Sequence, residues 1–285
     1  MIQLKRWITG LVALPFIILL IFLGGPFLFF LLVYVVGLLA LWEYFRIIYN
    51  PQDRLVSAPA RSSNLNRQNS SAPIFQVLAF ITGTLIMWSA YKNTFEMILG
   101  FIALTLILSG LIALVQFKSN PFVFERAAQQ ILGIIYIPVL LSYVVLIRNG
   151  INGADWIFSV LFIVFAGDTS AYYAGSYLGR HKLCPAVSPN KTIEGALGGL
   201  AANLGMGAIL KCFFLAKSPW GLSILLFLVI GVAGQVGDLF ESVIKRSANV
   251  KDSGGILPGH GGMLDRIDAL LFVAPVAYFF KEYML

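Results

Sequence analysis

The amino-acid sequence predicts an all-α integral membrane protein with about nine transmembrane helices. Of its 285 residues, 59% are hydrophobic and only 12% are charged. Soluble domains carry about 25% charged residues, so this composition is that of a membrane protein. Apolar runs of about 20 residues recur along the whole chain, and each is long enough to cross a bilayer as a helix.

Short polar or glycine-containing breaks separate the predicted spans. The first apolar run continues directly into further apolar sequence, so we expect a retained span rather than a cleaved signal peptide. Residues 51–72 form the longest break of the first half and are rich in Ser, Asn and Pro, which predicts a flexible cytoplasmic loop. The predicted spans are 7–23, 27–48, 73–91, 95–116, 127–147, 155–178, 193–215, 220–241 and 264–283.

The basic residues predict how these helices are oriented. With the N-terminus inside, the inner breaks and span ends hold 15 of the 20 Lys and Arg residues, and the outer ones hold the other five. This bias predicts a cytoplasmic N-terminus and an external C-terminus. Because topology accounts for the net charge of +7, no nucleic-acid partner is expected. The two cysteines are far apart and lack neighbours at metal-ligand spacing, so we expect neither a disulfide nor a thiolate metal site.

The first polar segment of interest is FAGDTSAYYAGSYLGR, residues 165–180. Asp168 lies inside a predicted span, where a carboxylate costs about 2.5–3.5 kcal/mol, so we interpret it as part of a functional polar cavity. Small residues recur every four positions in the same segment and predict close packing against another helix. These small residues are Gly167, Ala171, Gly175 and Gly179.

The second segment is SPNKTIEGALGG, residues 188–199. Ser followed by Pro is a good start for a helix, so Ser188 is predicted to be the N-cap and Pro189 the first helical residue. Lys191 and Glu194 would then lie one turn apart. Taken alone, the segment fits an ordinary capped helix as well as a substrate contact.

The third segment, residues 238–268, concentrates charge. It is 31 residues long and holds nine of the chain's 20 basic and 13 acidic residues. Asp238, Ser242 and Lys245 are spaced so that they share one face of a helix with Glu241. Between this helix and the next, a glycine-rich turn with one histidine precedes a helix N-terminus, where unpaired N–H groups suit phosphate.

These residue types indicate phosphoryl or nucleotidyl transfer. Carboxylates from two helices, in a chain with only two His residues, favour a hard cation such as Mg²⁺ over zinc. A metal, a basic clamp and a glycine turn together suit the chemistry of a polyphosphate. No Ser-His-Asp or Cys-His pairing stands out in the sequence, so a covalent protein intermediate is not expected. The basic clamp would consist of Lys245, Arg246, Lys251 and Arg266.

Residues 242–268 resemble the signature of phosphatidate cytidylyltransferases, also called CDP-diacylglycerol synthases. Segments 166–180 and 188–195 resemble elements of that family in the same order, and the likeness covers roughly residues 155–283. The matching signature positions are Ser242, Ile244, Lys245, Arg246, Lys251, Asp252, Gly254, Leu257, Pro258, His260, Gly261, Gly262, Asp265, Arg266 and Asp268.

The resemblance implies an enzyme of phospholipid biosynthesis that joins CTP to phosphatidic acid, giving CDP-diacylglycerol and pyrophosphate. By likeness, Asp238 and Asp265 would bind Mg²⁺. The resemblance also allows a second cation next to this Mg²⁺. The expected partners are the two substrates, the lipid bilayer and a second copy of the chain in a homodimer. The expected location is a bacterial inner membrane, with the active site on the cytoplasmic side. Residues 1–150 are then interpreted as a hydrophobic scaffold, and residues 151–285 as the catalytic membrane domain.

Site roles follow from the same reasoning. The expected catalytic residues are Asp238, Asp265, Lys245, Arg246, Lys251, Asp252, His260 and Arg266. The expected substrate-binding residues are Asp168, Ser188, Lys191, Glu194, Ser242, Gly261, Gly262 and Asp268.

Three other functions are alternatives to this one. The motif of the CDP-alcohol phosphotransferases is absent from the sequence. A CTP-dependent polyprenol or dolichol kinase also fits a membrane face with basic and acidic residues, and it would release CDP instead of pyrophosphate. A membrane transporter would account for Asp168 and the glycine-interrupted helices, but not for the charge cluster of residues 238–268.

Overall fold

The computed structural model describes residues 15–49, 72–215, 218–256 and 261–285. These residues are almost entirely helical, which confirms the predicted all-α class, and seven helical segments are long and apolar enough to cross a membrane. The helices are α1 (Gly25–Tyr49), α2 (Ala72–Tyr91), α3 (Phe95–Gln116), α4 (Val123–Ile134), α5 (Leu140–Asn149), α6 (Gly153–Leu178), α7 (Ile193–Phe214), α8 (Trp220–Ser247) and α9 (Leu264–Phe279).

The first and last predicted spans are not among those seven. The predicted span 7–23 lies partly outside the described residues, although residues 15–23 are helical. The predicted span 264–283 corresponds to α9, which has 16 residues, followed by one π-helical turn, Phe280–Met284. A full span needs about 20 apolar residues, and α9 begins with charged ones. The predicted loop 51–72 lies outside the described residues, except for Ala72.

The fifth predicted span contains a local irregularity. Helices α4 and α5 are joined by a π-helical turn, Ile135–Val139, which contains Pro138. Proline lacks the N–H group that an α-helix interior requires, and a π-type bulge absorbs the mismatch without ending the helix. Residues 123–149 therefore form one continuous apolar segment, as predicted for 127–147.

The small-residue stripe on α6 packs closely against α7, as predicted. A Cβ atom added at Gly195 would lie 2.8 Å from the backbone oxygen of Ala171. A Cβ atom at Gly199 would lie 3.0 Å from the backbone oxygen of Gly167. Side chains larger than hydrogen would separate the two backbones, so the stripe has a packing role.

A β-hairpin lies between α6 and α7, where the sequence predicted a helix start. Its antiparallel strands are β1 (Lys182–Cys184) and β2 (Ser188–Thr192), with Ser188 paired opposite Cys184. The predicted N-cap at Ser188 is therefore wrong. The hydroxyl of Thr192 accepts from the N–H of Gly195 at 3.1 Å instead, and α7 begins at Ile193. Pro189 is tolerated because a strand of a two-stranded hairpin always has a free edge.

Helices α8 and α9 pack tightly beside the charged segment. Helix α8 runs to Ser247, six residues beyond the predicted end of its span, so Ser242, Lys245 and Arg246 are helical. At Gly237 the two helices are in close contact, because an added Cβ atom would lie 2.6 Å from the backbone oxygen of Asp268. The two backbones therefore approach each other one residue before Asp238.

We expect Gly237→Ala to lower thermal stability, because the added methyl group forces α8 and α9 apart. Overpacking of this kind costs about 1–3 kcal/mol, and thermal unfolding in detergent measures it. Gly205→Ala on α7 is the control, since a Cβ atom there would have no neighbour within 4 Å. Equal midpoints for Gly237→Ala and the wild type would contradict this close contact.

The helix ends form two groups of contacts. At one end, Arg148 donates to the backbone oxygen of Ile21 at 2.9 Å, and Asn149 donates to that of Tyr91 at 3.1 Å. At the other end, the C-terminal part of α1 contacts the segment that joins α8 to α9. In the part of the chain that the structure describes, these contacts place residues beside predicted outer breaks and residues beside predicted inner breaks at opposite ends of the bundle. Which end faces the cytoplasm stays a prediction.

Candidate active site

Lys245 connects the two helices of the signature segment. Its ammonium lies 2.7 Å from Oδ1 of Asp265 on α9 and also pairs with Glu241, one turn earlier on α8. The Glu241 side chain is almost fully buried, and the side chains of Lys245 and Asp265 are each only 14% exposed. Buried charges need partners of opposite sign, so this three-residue arrangement joins α8 to α9 through charge.

Asp265 is held from its other side by loop backbone. Its Oδ2 atom accepts from the N–H of Ser253 at 3.1 Å and from the N–H of Gly262 at 2.9 Å. The hydroxyl of Ser253 lies 2.8 Å from the same oxygen. Gly261 adopts a φ of +83°, which favours glycine and turns the chain into α9. Both oxygens of Asp265 are thereby fixed in direction.

Asp238 is the more accessible acid of the pair predicted to bind metal. Its Oδ2 atom lies 2.6 Å from the ammonium of Lys191 on β2, and its side chain is 39% exposed. Asp168 on α6 and Asp268 on α9 lie close enough to Asp238 for their charges to interact. The structure therefore brings residues of all three polar segments of the sequence to one end of the bundle.

Glu194 fastens the hairpin to α7. Its carboxylate accepts from the N–H of Arg180 at 3.0 Å and from the N–H of His181 at 3.2 Å, and it lies 2.6 Å from Nδ1 of His181. These contacts close the start of the hairpin onto the first turn of α7. The hairpin carries Lys191, so Glu194 helps to position the lysine that pairs with Asp238. A direct role of Glu194 in substrate binding stays a prediction.

The remaining predicted site residues differ in accessibility. Arg246 is exposed and donates to the backbone oxygen of Val187 in the hairpin turn at 3.2 Å. Lys251 and Asp252 are exposed beyond α8 and make no hydrogen bond or ion pair with any residue that the structure describes. Ser242 is partly buried on α8, and Arg266 is exposed on the first turn of α9. The predicted site residue outside the described part of the chain is His260.

Two contacts at the site were not predicted from the sequence. Gln235 on α8 donates to the backbone oxygen of Ala196 on α7 at 2.9 Å. Glu43 on α1 lies against the loop that holds Asp265 and is fully buried. A signal for Glu43 was present, because it is a carboxylate in an otherwise apolar span, and such residues are costly there.

The carboxylates fit a cation that also takes oxygen from a substrate. Within the described ranges, no three His, Cys, Asp or Glu side chains form a ready metal site. Mg²⁺, however, is commonly held by one or two carboxylates together with water and phosphate oxygens. Oδ1 of Asp238 makes no hydrogen bond with a described residue, and the nearby negative charges of Asp168 and Asp268 favour a cation. Carboxylate oxygens are the donors that Mg²⁺ prefers in proteins.

Comparison with known proteins identifies the family to which this chain belongs. The profile of the Cytidylyltransferase family matches residues 4–284. This chain belongs to that family. The cytidylyltransferase is thus a nucleotidyltransferase, and the seven apolar helical segments among its described residues make it an integral membrane protein.

Its relatives extend the similarity beyond the signature segment. The phosphatidate cytidylyltransferase of Bacillus subtilis (strain 168) is 34% identical over 291 residues, covering 98% of each chain. That of Staphylococcus haemolyticus (strain JCSC1435) is 34% identical over 271 residues, covering 95% of this chain and 96% of the relative. That of Staphylococcus saprophyticus is 40% identical over 159 residues, covering 56% of this chain and 60% of the relative. The resemblance seen in residues 155–283 therefore extends over nearly the whole cytidylyltransferase.

Proposed function

We propose that this cytidylyltransferase transfers the cytidylyl group of CTP to phosphatidic acid, producing CDP-diacylglycerol and pyrophosphate. The observation that carries the proposal is the meeting of the signature acids and lysines with Lys191 and Asp168 at one end of the bundle. Relatives that match nearly the full length are named for the same reaction, which supports this choice of substrates.

The proposed reaction is a direct displacement. A phosphate oxygen of phosphatidic acid attacks the α-phosphorus of CTP, and the bond from that phosphorus to the bridging oxygen of the β-phosphate breaks. Pyrophosphate leaves with the electron pair of that bond. The nucleophile is already an anion, so no strong general base is required. The main barrier is repulsion between the two anionic phosphates, and positive groups fixed in place lower it.

We assign the site residues accordingly. Asp238 and Asp265 would hold Mg²⁺, which when bound neutralises charge on the triphosphate. Asp168 and Asp268 would attract a second cation. Lys245 and the backbone N–H groups around Gly262 keep Asp265 in a fixed direction. The groups assigned to phosphate are Lys191, Arg246, Lys251 and Arg266. Lys245, which the sequence analysis placed in the same clamp, is given the role of holding Asp265 because it pairs with Glu241 and Asp265.

The proposed location is the cytoplasmic face of a bacterial inner membrane. The topology predicted from the sequence assigns 15 of the 20 basic residues to the same side as the signature segment, and such a bias is typical of the cytoplasmic side. A site at this surface receives CTP from water and phosphatidic acid by lateral diffusion within the leaflet.

The proposal is tested with purified protein, Mg²⁺ and phosphatidic acid in mixed micelles, using CTP labelled on either the α- or the γ-phosphate. We expect the α label to enter the lipid phase and the γ label to leave in pyrophosphate. Entry of the γ label into lipid would indicate a kinase and contradict the proposal. Replacing phosphatidic acid by a polyprenol should give no labelled lipid.

Lys251→Ala should raise the KM for CTP by about tenfold or more, because an exposed ammonium is lost from the proposed phosphate contacts. Steady-state kinetics with varied CTP measure this effect. Lys118→Ala is the matched control, since Lys118 is also an exposed lysine beside an inner break but lies outside the site. Unchanged kinetics for Lys251→Ala would remove Lys251 from the phosphate contacts.

A further inference from the structure

Glu43 is a buried carboxylate that the proposed reaction does not use directly. It lies near the C-terminal end of α1, in the half of the chain that the sequence assigned to the scaffold, and it has 0% exposure. One of its oxygens, Oε1, has no hydrogen-bond partner within the described part of the chain. Burying a carboxylate in this way is costly, so its contacts should account for its presence.

The other oxygen of Glu43 contacts Ser253, in the loop between α8 and α9, and Leu264, the first residue of α9. Oε2 accepts from the backbone N–H of Leu264 at 2.8 Å and lies 3.0 Å from the hydroxyl of Ser253. That hydroxyl also lies 2.8 Å from Oδ2 of Asp265. The hydroxyl has one proton and donates to one carboxylate at a time, but it lies within hydrogen-bond distance of both Glu43 and Asp265.

Two signature glycines allow the loop to close around Glu43. A Cβ atom at Gly262 would lie 2.5 Å from Oε2, and one at Gly254 would lie 2.8 Å from Cδ of the same side chain. No larger residue fits at either position without moving the carboxylate or the loop. The close fit explains, in physical terms, why glycine occupies both of these positions.

We infer that Glu43 is a positioning residue for cytidylyl transfer, which sets the direction of the Asp265 carboxylate through the loop. The inference rests on the proposed function for its catalytic part. Glu43 holds Ser253 and Leu264 at a fixed separation, and the N–H groups of Ser253 and Gly262 then hold Oδ2 of Asp265. Helix α1 thus shapes the site through the loop.

The test compares Glu43→Leu with Glu43→Gln in purified protein. Leucine fills the space but accepts no hydrogen bond, so we expect kcat to fall at least tenfold and the Mg²⁺ requirement to rise. The glutamine oxygen can replace Oε2, so Glu43→Gln should retain at least a third of the wild-type kcat. Gln130→Leu is the matched control, because Gln130 is equally buried but accepts from Ser109, away from the loop.

A second readout does not depend on activity. Hydrogen–deuterium exchange of peptides covering residues 250–265 should be at least tenfold faster in Glu43→Leu than in wild type and unchanged in Gln130→Leu. If the wild type lacks transferase activity but this exchange difference appears, the proposed function fails while the positioning of the loop stands. If both kcat and exchange in Glu43→Leu stay within threefold of wild type, the inference is wrong.

Two further results with the Glu43 and Gly254 variants would overturn the inference. Equal loss of kcat in Glu43→Gln and Glu43→Leu would show that the charge of Glu43 is needed, which overturns the hydrogen-bond role. If Glu43→Leu does not fold, Gly254→Ala displaces the same carboxylate from the loop side and should give the same tenfold loss. Wild-type kcat in Gly254→Ala would then overturn the inference.

Discussion

Replacing Asp238 by Asn is expected to reduce cytidylyl transfer at least about a hundredfold while the protein remains folded. The substitution removes a negative charge from the carboxylate that pairs with Lys191 and that we assign to Mg²⁺. Loss of one group that stabilises charge in a transition state typically costs 10²–10³-fold in rate. The rate of α-label transfer into lipid, measured over a range of Mg²⁺ concentrations, gives the size of the effect.

Asp155→Asn is the control for this variant. Asp155 lies in the first turn of α6, 13 residues before Asp168, which is about 20 Å along a helix. Its replacement should leave the rate unchanged. A rate within threefold of wild type for Asp238→Asn at saturating Mg²⁺ would refute the metal assignment.

Replacing Asp265 by Asn should be more damaging, with a loss of at least about a thousandfold. Asp265 accepts from Lys245 on one oxygen and from Ser253 and Gly262 on the other. The asparagine side chain has only one accepting oxygen. Its NH₂ group would therefore face either the ammonium of Lys245 or the N–H groups of Ser253 and Gly262, which are also donors. The variant should therefore lose both charge and the fixed direction of the side chain. Transfer rates and hydrogen exchange of residues 250–265 measure the two effects separately.

Glu96→Gln provides a comparison in the same structural setting, because Glu96 and Asp265 both lie in the first turn of a helix. The Glu96→Gln variant should retain the wild-type rate of transfer. If Asp265→Asn keeps more than a tenth of the wild-type activity, Asp265 has no central part in the reaction.

The length of apolar runs predicted the spanning helices well. Helix α3 has the bounds that the sequence predicted, and the predicted spans 73–91 and 193–215 differ from α2 and α7 by one residue. Hydrophobic length is a local property of the chain, so the sequence carries it directly. Helix α8 extends further than predicted because its last turns are polar, and an apolar run does not include them. Contacts such as that of Lys245 with Asp265 stabilise these turns.

Tertiary contacts were harder to predict. Ser188 followed by Pro189 has the local chemistry of a helix start, but pairing with β1 places both residues in a strand. The contacts of Glu43 join residues 210 and 221 positions apart, and no local pattern specifies them. The clustering of acids and lysines in residues 238–268 was predictable, whereas the pairing of Asp238 with Lys191 required the fold.

Binding of Mn²⁺, used in place of Mg²⁺, tests most directly whether a metal and a triphosphate meet between α8 and α9. Electron paramagnetic resonance would follow free Mn²⁺ during titration of the purified protein with CTP present and phosphatidic acid absent. We predict CTP-dependent binding in the wild type and in Asp155→Asn, and at least tenfold weaker binding in Asp238→Asn and Asp265→Asn. Equal binding by all four proteins would contradict the assignment of the site.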